Sequence, residues 1–425
     1  MGPREESGGS RSLPPIAPDP LRHPGSARQQ ASIESRWSWW VAGVGVVMVA
    51  LSFGAVTSIP ILLKPLARYW NTGASTIALV HTSAMMGAAV GGIVLGRMLD
   101  RLGFFRIALV AAGAIGLGLV LVASADSLLT FYLVYALLIG GIGQGAFFGP
   151  LAAAVSQWFD RHRGTAIAIV ACGQSLGGLL LPPLMSWGVE AIGWRATLMS
   201  YGITAGLALM AGAFVFRRVP PLHFVRPAHS QCDETGRSLA PGGFLMLGAC
   251  MALSNHASFM VIAHLTAFGE ERGLAPIAAA GLVSAMLGVS LFSRLCIGQL
   301  SNRWSPYQVL LAMSILLALG VVCLANAQGR IPIGLGIIAI GLAFGGYLPG
   351  YAILVRELFP AAQAGRRIAE IYFFAFVAAG IGSWTSGWLR DLSGTYILPF
   401  WTAAASASLG AALLLQLRGR LQSTK

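Results

Sequence analysis

Residues Ser290 to Arg303 read SLFSRLCIGQLSNR, and this segment decides how the rest of the chain is interpreted. It continues an apolar run that begins near Leu274, so Arg294 lies about two turns inside a helix long enough to cross a membrane. An arginine at that depth is costly unless it faces protein, water or an anion. Arg294 is therefore the first candidate functional residue of the chain.

The end of this segment has a counterpart in the first half of the chain. The pattern G-x-x-x-N-R at 298–303 ends one apolar run, and G-x-x-x-D-R at 96–101 ends another about 200 residues earlier. At a similar offset, G-W at 193–194 recurs as G-T-Y at 394–396. These matches predict that the second half of the chain repeats the first in parallel orientation.

The composition excludes a soluble globule. Of the 425 residues, 56% are hydrophobic and only 10% are charged, which leaves too few polar groups to coat a soluble protein of this size. The mean hydropathy of +0.72 indicates a polytopic membrane protein. The formal net charge of +13 does not require a nucleic-acid partner, because arginines gather on the cytoplasmic loops of membrane proteins.

Twelve apolar runs are long enough to cross about 30 Å of hydrocarbon. They lie near residues 38–63, 75–97, 104–124, 128–150, 165–188, 196–216, 243–268, 275–298, 307–327, 331–354, 367–389 and 397–417. The sequence thus predicts an all-α membrane protein with twelve transmembrane helices in two pseudo-symmetric halves of six.

The polar segments define the predicted domain boundaries. We expect a disordered cytoplasmic tail at 1–37, because it is rich in Pro, Ser, Gly and Arg. An N-terminal half at 38–216, a cytoplasmic linker at 217–242, a C-terminal half at 243–417 and a cytoplasmic tail at 418–425 complete the prediction. The loops on the side of the N-terminal tail hold 21 basic residues and the other side holds 6, so both termini are expected in the cytoplasm.

No motif predicts an enzyme, a metal site or a cofactor. The five cysteines include no C-x-x-C spacing, and four of them lie in predicted spans. The chain has no Walker motif, no H-E-x-x-H and no G-x-S-x-G. The G-x-G-x-x-A pattern at 141–146 lies in an apolar run without a preceding strand, so it does not predict dinucleotide binding.

The loop after the second predicted helix carries a candidate gate. An acid within a basic loop can pair with arginines or cap a helix N-terminus. The pattern resembles that of the major facilitator superfamily, in which G-x-x-x-D-R-x-G joins helices two and three. That resemblance implies that Asp100 meets the start of helix eleven near Arg366 and Arg367; the alternative is that these charges only set topology. The predicted gating residues are Gly96, Asp100, Arg101, Gly103 and Arg106, with Asn302 and Arg303 as their counterparts.

A narrower resemblance is to the monocarboxylate and oxalate/formate transporter branch of that superfamily. The residues that carry it are G-x-G at 141–143 through Pro150, W-F-D-R-H-R-G-x-A at 158–166, G-x-x-x-G at 173–177 and R-x-x-x-G at 294–298. The resemblance implies that Arg294 binds the substrate carboxylate, and a planar, permanently charged guanidinium suits that task. The alternative is a structural ion pair.

Two departures from the animal members leave proton coupling open. Ser290 stands where those relatives place an aspartate, and Thr57 where they place a lysine. Either the chain exchanges anions or another group accepts protons. The candidate acceptors are His81, His256, His264 and Glu370. For each histidine a structural hydrogen bond is the alternative, and for Glu370 an ion pair with the arginines one turn earlier.

Further polar and aromatic residues on the predicted helices complete the candidate substrate site, with packing as the alternative role for each. They are Ser290, Asn255, His256, Gln144, Gln174, Tyr372 and Phe147, beside Phe148.

The sequence as a whole predicts a secondary transporter of the bacterial plasma membrane that moves small organic anions, monocarboxylates first, by alternating access. A dicarboxylate or anion exchanger, an exporter of an unrelated solute, and a membrane sensor that binds without transporting are the alternatives. The expected partners are the organic anion, protons where transport is coupled to them, and the lipid bilayer. We expect no nucleic acid and a monomeric protein.

Overall fold

Long apolar helices form nearly all of the described chain, and no strand occurs among its described residues. The computed structural model describes residue 2 and residues 34–218, 241–359 and 361–423. The predicted tail at 1–37 and the predicted linker at 217–242 lie almost entirely outside those residues. Eleven helices are long and apolar enough to span a membrane, and one of them, 52 residues long, is two spans joined at a bend.

The N-terminal half contains six spans. They are α1 (Arg36–Trp70), α2 (Ala74–Leu102), α3 (Phe104–Ser124), α4 (Leu128–Ser156), and the two parts of Arg163–Val215, which are α5 (163–192) and α6 (194–215). Within α4, residues Tyr135–Gln144 form π-helical turns, and the helix is interrupted at Phe147 and Phe148 before it resumes at Gly149.

The C-terminal half repeats this order. It consists of α7 (Pro241–Ile262 with its continuation Leu265–Glu271), α8 (Pro276–Arg303), α9 (Pro306–Ala325), α10 (Arg330–Leu358), α11 (Ala361–Ser393) and α12 (Ile397–Ser423). The break in α7 falls at Ala263 and His264.

Local sequence explains where several helices begin and end. Gly193 and Gly394 adopt positive φ angles of 81° and 73°, which suit glycine because it has no side chain, and each ends a helix at equivalent points of the two halves. Ser305 caps α9, where its hydroxyl accepts a hydrogen bond from the amide of Gln308, and Pro306 occupies the first helical turn.

The two ends of the helices define two faces of the molecule. We call the face at which α1 begins the N-face and the face at which α1 ends the opposite face. On the N-face, the Glu34 carboxylate accepts hydrogen bonds from the amides of Arg161 and His162, so the α4–α5 loop lies beside the start of α1. On the opposite face, the end of α11 contacts the start of α2.

Glycines bring the same pairs of helices together in each half. A β-carbon at Gly87 or Gly91 of α2 would collide with backbone oxygens of α4, and one at Gly341 or Gly345 of α10 would collide with backbone oxygens of α8. Small residues of this kind let membrane helices approach closely. The equivalent pairings, α2 with α4 and α8 with α10, are the packing expected of repeated halves.

The structure confirms the predicted fold class: an all-α protein with twelve membrane-length spans. Several spans run longer than predicted; α1, for example, ends at Trp70 and not near residue 63. The fourth and the seventh spans show the clearest differences. The fourth extends beyond residue 150 to Ser156, because its hydrophobic stretch continues after Pro150. The seventh is broken at His264 and ends at Glu271 instead of running unbroken to 268.

Candidate functional site

Arg294 lies in α8 and reaches across to the N-terminal half. Its side chain is 3% exposed. One terminal nitrogen donates to the carbonyl oxygen of Ala171 at 2.5 Å, and the other donates to the side-chain oxygen of Gln174 at 2.6 Å. Both acceptors belong to α5. The guanidinium therefore lies at the junction of the two halves.

No carboxylate among the described residues pairs with this guanidinium. Its two acceptors are neutral oxygens, and its Nε atom has no hydrogen-bond partner in the described part of the chain. The ring of Phe344 in α10 lies with its centroid 5.8 Å from the guanidinium carbon, which gives a cation–π contact. Arg294 thus keeps a buried positive charge, and its Nε–H donor is unused among the described residues.

A pair of hydroxyl groups fixes the helices beside Arg294. The oxygens of Ser175 in α5 and Ser290 in α8 are 2.7 Å apart, and Ser290 also donates to the carbonyl of Leu287 at 2.8 Å. Ser290 is one turn before Arg294, so this pair holds α8 against α5 at the level of the guanidinium. A hydroxyl can serve here as donor and acceptor but carries no charge.

An aromatic contact joins α4 to α11 near the same site. The ring of Phe148 lies 5.9 Å from that of Tyr372 and 5.4 Å from that of Phe376. The Tyr372 hydroxyl donates to the carbonyl of Leu348 at 3.0 Å, so the phenol is fixed against α10. Phe147, the predicted residue, is fully buried in the hydrophobic core. Its neighbour Phe148 makes the contact with the other half.

We define the Arg294 cluster by the residues described so far that converge on the junction of the halves: Arg294, Gln174, Ser175, Ser290, Phe344, Tyr372 and Phe148. Four of them, Arg294, Gln174, Ser290 and Tyr372, were predicted as site residues from the sequence. Ser175 and Phe344 were missed. Their only sequence signal is a nearby glycine: Ser175 lies between Gly173 and Gly177, and Phe344 directly precedes Gly345. Neighbouring glycines do not distinguish a binding site from helix packing.

Three other predicted residues make their contacts elsewhere. Gln144 accepts a hydrogen bond from Ser52 at 2.7 Å, between α4 and α1. Asn255 donates to the carbonyl of Met251, one turn earlier in α7, at 3.1 Å. The ring of His256 pairs with the hydroxyl of Ser406 in α12 at 3.0 Å, inside the C-terminal half. Among the described residues, no hydrogen bond or ring contact links these side chains to Arg294, and their role in binding stays a prediction.

The candidate proton acceptors have very different surroundings. Glu370 forms an ion pair with Arg367 at 2.9 Å, as the alternative reading of the sequence expected. His264 is fully buried, and its two ring nitrogens lie 3.2 Å from the Tyr396 hydroxyl and 3.0 Å from the Ser383 carbonyl. His81 is 1% exposed, and neither of its nitrogens has a hydrogen-bond partner in the described chain.

The predicted gate is only partly described. Arg101, Gly103, Arg106 and Arg303 are exposed at the N-face, and Gly103 ends α2 with a φ of 73°. A β-carbon at Gly96 would meet no atom within 4 Å, so this glycine is not required for packing. The side chains of Asp100, Asn302 and Arg366 lie outside the described part of the structure, and the contact expected between Asp100 and helix eleven stays a prediction.

Polar contacts between the halves occur at the opposite face, where no site residue was predicted from the sequence. The Lys64 amine in α1 lies 2.9 Å from the Glu270 carboxylate in α7. The Asp391 carboxylate in α11 accepts hydrogen bonds from the amides of Ala74 and Ser75 in α2, both at 2.8 Å. Nearer the middle of the helices, the Thr82 hydroxyl donates to the carbonyl of Gly380 at 2.7 Å.

Two ion pairs of the described chain lie within the N-terminal half. Arg195 lies 2.6 Å from Asp126 on the opposite face, and its hydrogen bond, with another from Tyr69, lowers the pKa of that carboxyl. On the N-face, desolvation opposes ionisation of Glu34, but hydrogen bonds from His162 and from the amide of Arg161 lower its pKa overall. Neither pair connects the halves.

Comparison with known proteins places these contacts in a family context. The family model described as Major Facilitator Superfamily matches residues 44–329 and 245–425. Monocarboxylate transporter 11 of Homo sapiens is 27% identical over 374 residues, which cover 86% of this chain and 79% of that protein. Monocarboxylate transporter 13 of Bos taurus is 26% identical over 388 residues, covering 90% and 89%. MFS transporter asaE of Aspergillus flavus is 27% identical over 395 residues, covering 88% and 87%.

A solved structure shares the fold. It is a bacterial homolog of the human lysosomal transporter Spinster, in an inward-facing and unoccupied conformation, with a TM-score of 0.72. The superposition covers 92% of this chain and 98% of the other, at 14% sequence identity. At that identity the likeness concerns the arrangement of helices alone.

Proposed function

Because this chain belongs to the Major Facilitator Superfamily, whose members are transporters and not enzymes, we propose that it moves small organic anions, monocarboxylates first, by alternating access. The observation that carries the proposal is the buried guanidinium of Arg294, which no described carboxylate neutralises. A buried charge of this kind is costly unless a partner compensates it. An anionic substrate is such a partner.

The geometry around Arg294 fits a carboxylate. The Nε atom is an unused donor, and a guanidinium binds planar carboxylates through two parallel N–H donors. A carboxylate oxygen of the substrate would replace one of the two neutral α5 oxygens as the acceptor from the guanidinium. A hydrogen bond to a charged acceptor is stronger than one to a neutral acceptor. Phe344 and Phe148 would provide apolar contact for a short carbon chain.

The relatives favour a monocarboxylate over a dicarboxylate. Two of them are named monocarboxylate transporters, although their identity to this chain is below 30%. In addition, Arg294 is the only cation of the Arg294 cluster, so it would neutralise one carboxylate and leave a second without a partner. A dicarboxylate exchanger and an exporter of another solute remain the alternative functions.

The proposal is tested with purified protein in proteoliposomes and a panel of radiolabelled short mono- and dicarboxylates. We expect saturable uptake of monocarboxylates by the wild type and strongly reduced uptake by Arg294→Lys, because lysine keeps the charge but loses the planar fork. Arg272→Lys is the matched control, since Arg272 also donates to a backbone carbonyl but at the opposite face. Uptake by Arg294→Lys at the wild-type rate would contradict the assignment.

The same vesicles separate the modes of transport. Accumulation that a protonophore abolishes supports proton symport, and uptake that requires anion inside the vesicle supports exchange. Anion binding in a thermal-shift assay without any flux would instead indicate a sensor.

The gate and the topology complete the proposal. We propose that Asp100 and the loop that contains it latch the N-face, with Asn302 and Arg303 as the counterpart, and that the Asp100→Asn variant cycles more slowly without a matching loss of affinity. The basic residues of the N-face loops favour cytoplasmic termini in a plasma membrane. Division at a linker near 217–242 and a monomeric state belong to the same proposal.

A further inference from the structure

His81 is the buried titratable group that the carboxylate site does not use. It lies in α2 and is 1% exposed, and both ring nitrogens lack a hydrogen-bond partner among the described residues. A buried polar group without a partner destabilises the conformation that contains it. A second conformation that supplies a partner would relieve that cost.

The ring of His81 packs against the C-terminal half. It stacks on Phe259 of α7, with ring centroids 5.8 Å apart and planes inclined by 29°. The next residue, Thr82, donates its hydroxyl to Gly380 of α11. His81 therefore lies in the seam between the halves, and any motion that separates α2 from α7 and α11 exposes its imidazole to water.

A second imidazole and further hydroxyls lie on the helices that pack against α2. His264 follows Phe259 by five residues, at the break in α7, and contacts the Ser383 carbonyl and the Tyr396 hydroxyl. Among the described residues, the hydroxyls of Thr266, Ser383 and Ser386 are also buried without a hydrogen-bond partner. Several unused polar atoms of α7 and α11 thus lie on the helices that pack against His81.

An aromatic bridge separates His81 from Arg294. The ring of Phe259 lies 5.9 Å from that of Phe344, and Phe344 lies 5.8 Å from the Arg294 guanidinium. Two phenyl rings therefore stand between the imidazole and the guanidinium. Phe259 belongs to α7 and Phe344 to α10, so the imidazole contacts the first of these helices and the guanidinium the second.

We propose that His81, assisted by His264, binds the proton that accompanies the anion. This proton site is separate from Arg294 and is reached from the opposite face when the seam between the halves opens. This inference rests on the proposed function, because it assigns the cotransported proton of that carrier. With the seam open, water reaches His81 and the imidazole can be protonated. With the seam closed and no anion bound, an imidazolium would be buried without a partner, so the neutral form is required.

The anion makes closure with a proton possible. A carboxylate at Arg294 removes the net positive charge of that site, so the proton and the anion together add no charge to the closed interior. The proton alone would add a second buried positive charge to that of Arg294, whereas the anion compensates the arginine, so bound anion favours protonation of His81 and, by linkage, the proton favours the anion. Coupling then follows from the cost of burial without direct contact between the two ligands.

Other titratable groups lie on the elements that pack against α2 and enter any measurement of pH dependence. They are His264, Glu270 and Glu271 in α7, Lys64 in α1, Arg390 and Asp391 in α11, Tyr396, and Tyr132 and Tyr135 in α4. Variants of His81 itself are therefore needed to assign the effect.

The test measures opening of the opposite face against pH, without substrate. Spin labels are placed at Asn71 and Leu392, which are exposed at the ends of α1 and α11, in a background without the native cysteines. Pulsed electron–electron double resonance then reports the open fraction between about pH 8 and pH 5, around the ordinary pKa of histidine. We expect the ratio of open to closed protein to rise by up to about tenfold per pH unit on the acidic side.

His81→Phe and His81→Gln are expected to abolish this pH response. His81→Phe should also raise the melting temperature at neutral pH, because it removes the unpartnered polar atoms, so loss of folding does not explain the result. His162→Gln is the control, since His162 is an exposed histidine that contacts Glu34 within the N-terminal half. A pH response that persists in both His81 variants, or that is absent in the wild type, would overturn the inference.

Proteoliposome uptake distinguishes this inference from the proposed function. Monocarboxylate uptake that remains fully proton-coupled in His81→Gln contradicts only the assignment of the proton site. Conversely, a His81-dependent pH response in a protein that transports none of the anions contradicts the proposed substrate and retains the proton site.

Discussion

The carboxylate of Asp391, at the end of α11, accepts hydrogen bonds from the amide and the hydroxyl of Ser75, at 2.8 and 2.5 Å. Its other oxygen accepts from the amide of Ala74 at 2.8 Å. An acid of the C-terminal half thus caps the first turn of α2 in the N-terminal half. Free amides and the helix dipole at that position favour a negative charge.

Replacing Asp391 with Asn is expected to favour opening of the opposite face. The variant keeps one acceptor oxygen but loses the charge, so we expect the open-to-closed ratio to rise about fivefold, equivalent to about 1 kcal/mol. The distance between spin labels at Asn71 and Leu392 measures this ratio. Asp126→Asn is the matched control, because Asp126 is on the same face but pairs with Arg195 within one half. Equal open fractions in the two variants would exclude a closing role for Asp391.

The ion pair between Lys64 and Glu270 joins the two halves at the same face, so we expect the effects of substituting these two residues on opening to depend on each other. The side chains are 29% and 19% exposed, so we expect a coupling energy of about 0.5–1 kcal/mol. Lys64→Glu and Glu270→Lys each bring like charges together and should increase opening, whereas the double swap should restore most of the closed population. A double-mutant cycle measures the coupling. Single effects that simply add in the double variant would show that the two residues act independently.

The fold was predictable because each span carries its own signal. An apolar run of membrane length identifies a helix without reference to the rest of the chain. The equivalent glycines at 193 and 394 likewise marked real turns, since both adopt positive φ. Arg294 was predictable for the same reason: a charge inside an apolar run stands out in the sequence.

The faces of the helices were not predictable from the same signals. In a membrane, the lipid-facing and protein-facing sides of a helix are both apolar, so periodicity does not show which side faces a partner. The sequence therefore favoured Phe147, whereas the break in α4 turns Phe148 toward Tyr372. Asp391 and Ser75 are 316 residues apart in the chain, and they meet only when the two halves are assembled. Such a contact produces no local sequence pattern from which it could be predicted.

Gln174→Glu should give Arg294 a permanent carboxylate partner within the protein, in place of the anionic substrate. The amide oxygen of Gln174 already accepts from Arg294 at 2.6 Å, so a carboxylate of the same size would neutralise the guanidinium in place. We expect monocarboxylate binding to weaken at least about tenfold, equivalent to about 1.4 kcal/mol. Titration of the melting temperature with anion measures the affinity. Gln174→Leu removes the hydrogen bond without adding charge, and it should retain more affinity than the glutamate variant. Wild-type affinity in Gln174→Glu would show that substrate does not depend on a free charge at Arg294.

Gly345→Ala should separate α10 from α8 and disturb Arg294 indirectly. A β-carbon at Gly345 would collide with the backbone oxygen of Ser290, which is one turn from Arg294. Overpacking of this kind costs about 1–3 kcal/mol, and we expect a lower melting temperature and a weaker response to anion. Gly334→Ala is the control on the same helix, because a β-carbon there meets no atom within 4 Å. That substitution should be neutral or stabilise the protein by up to about 1 kcal/mol, since alanine is the better helix former. If both variants melt at the same temperature, close contact at Gly345 does not hold the helix that carries Arg294.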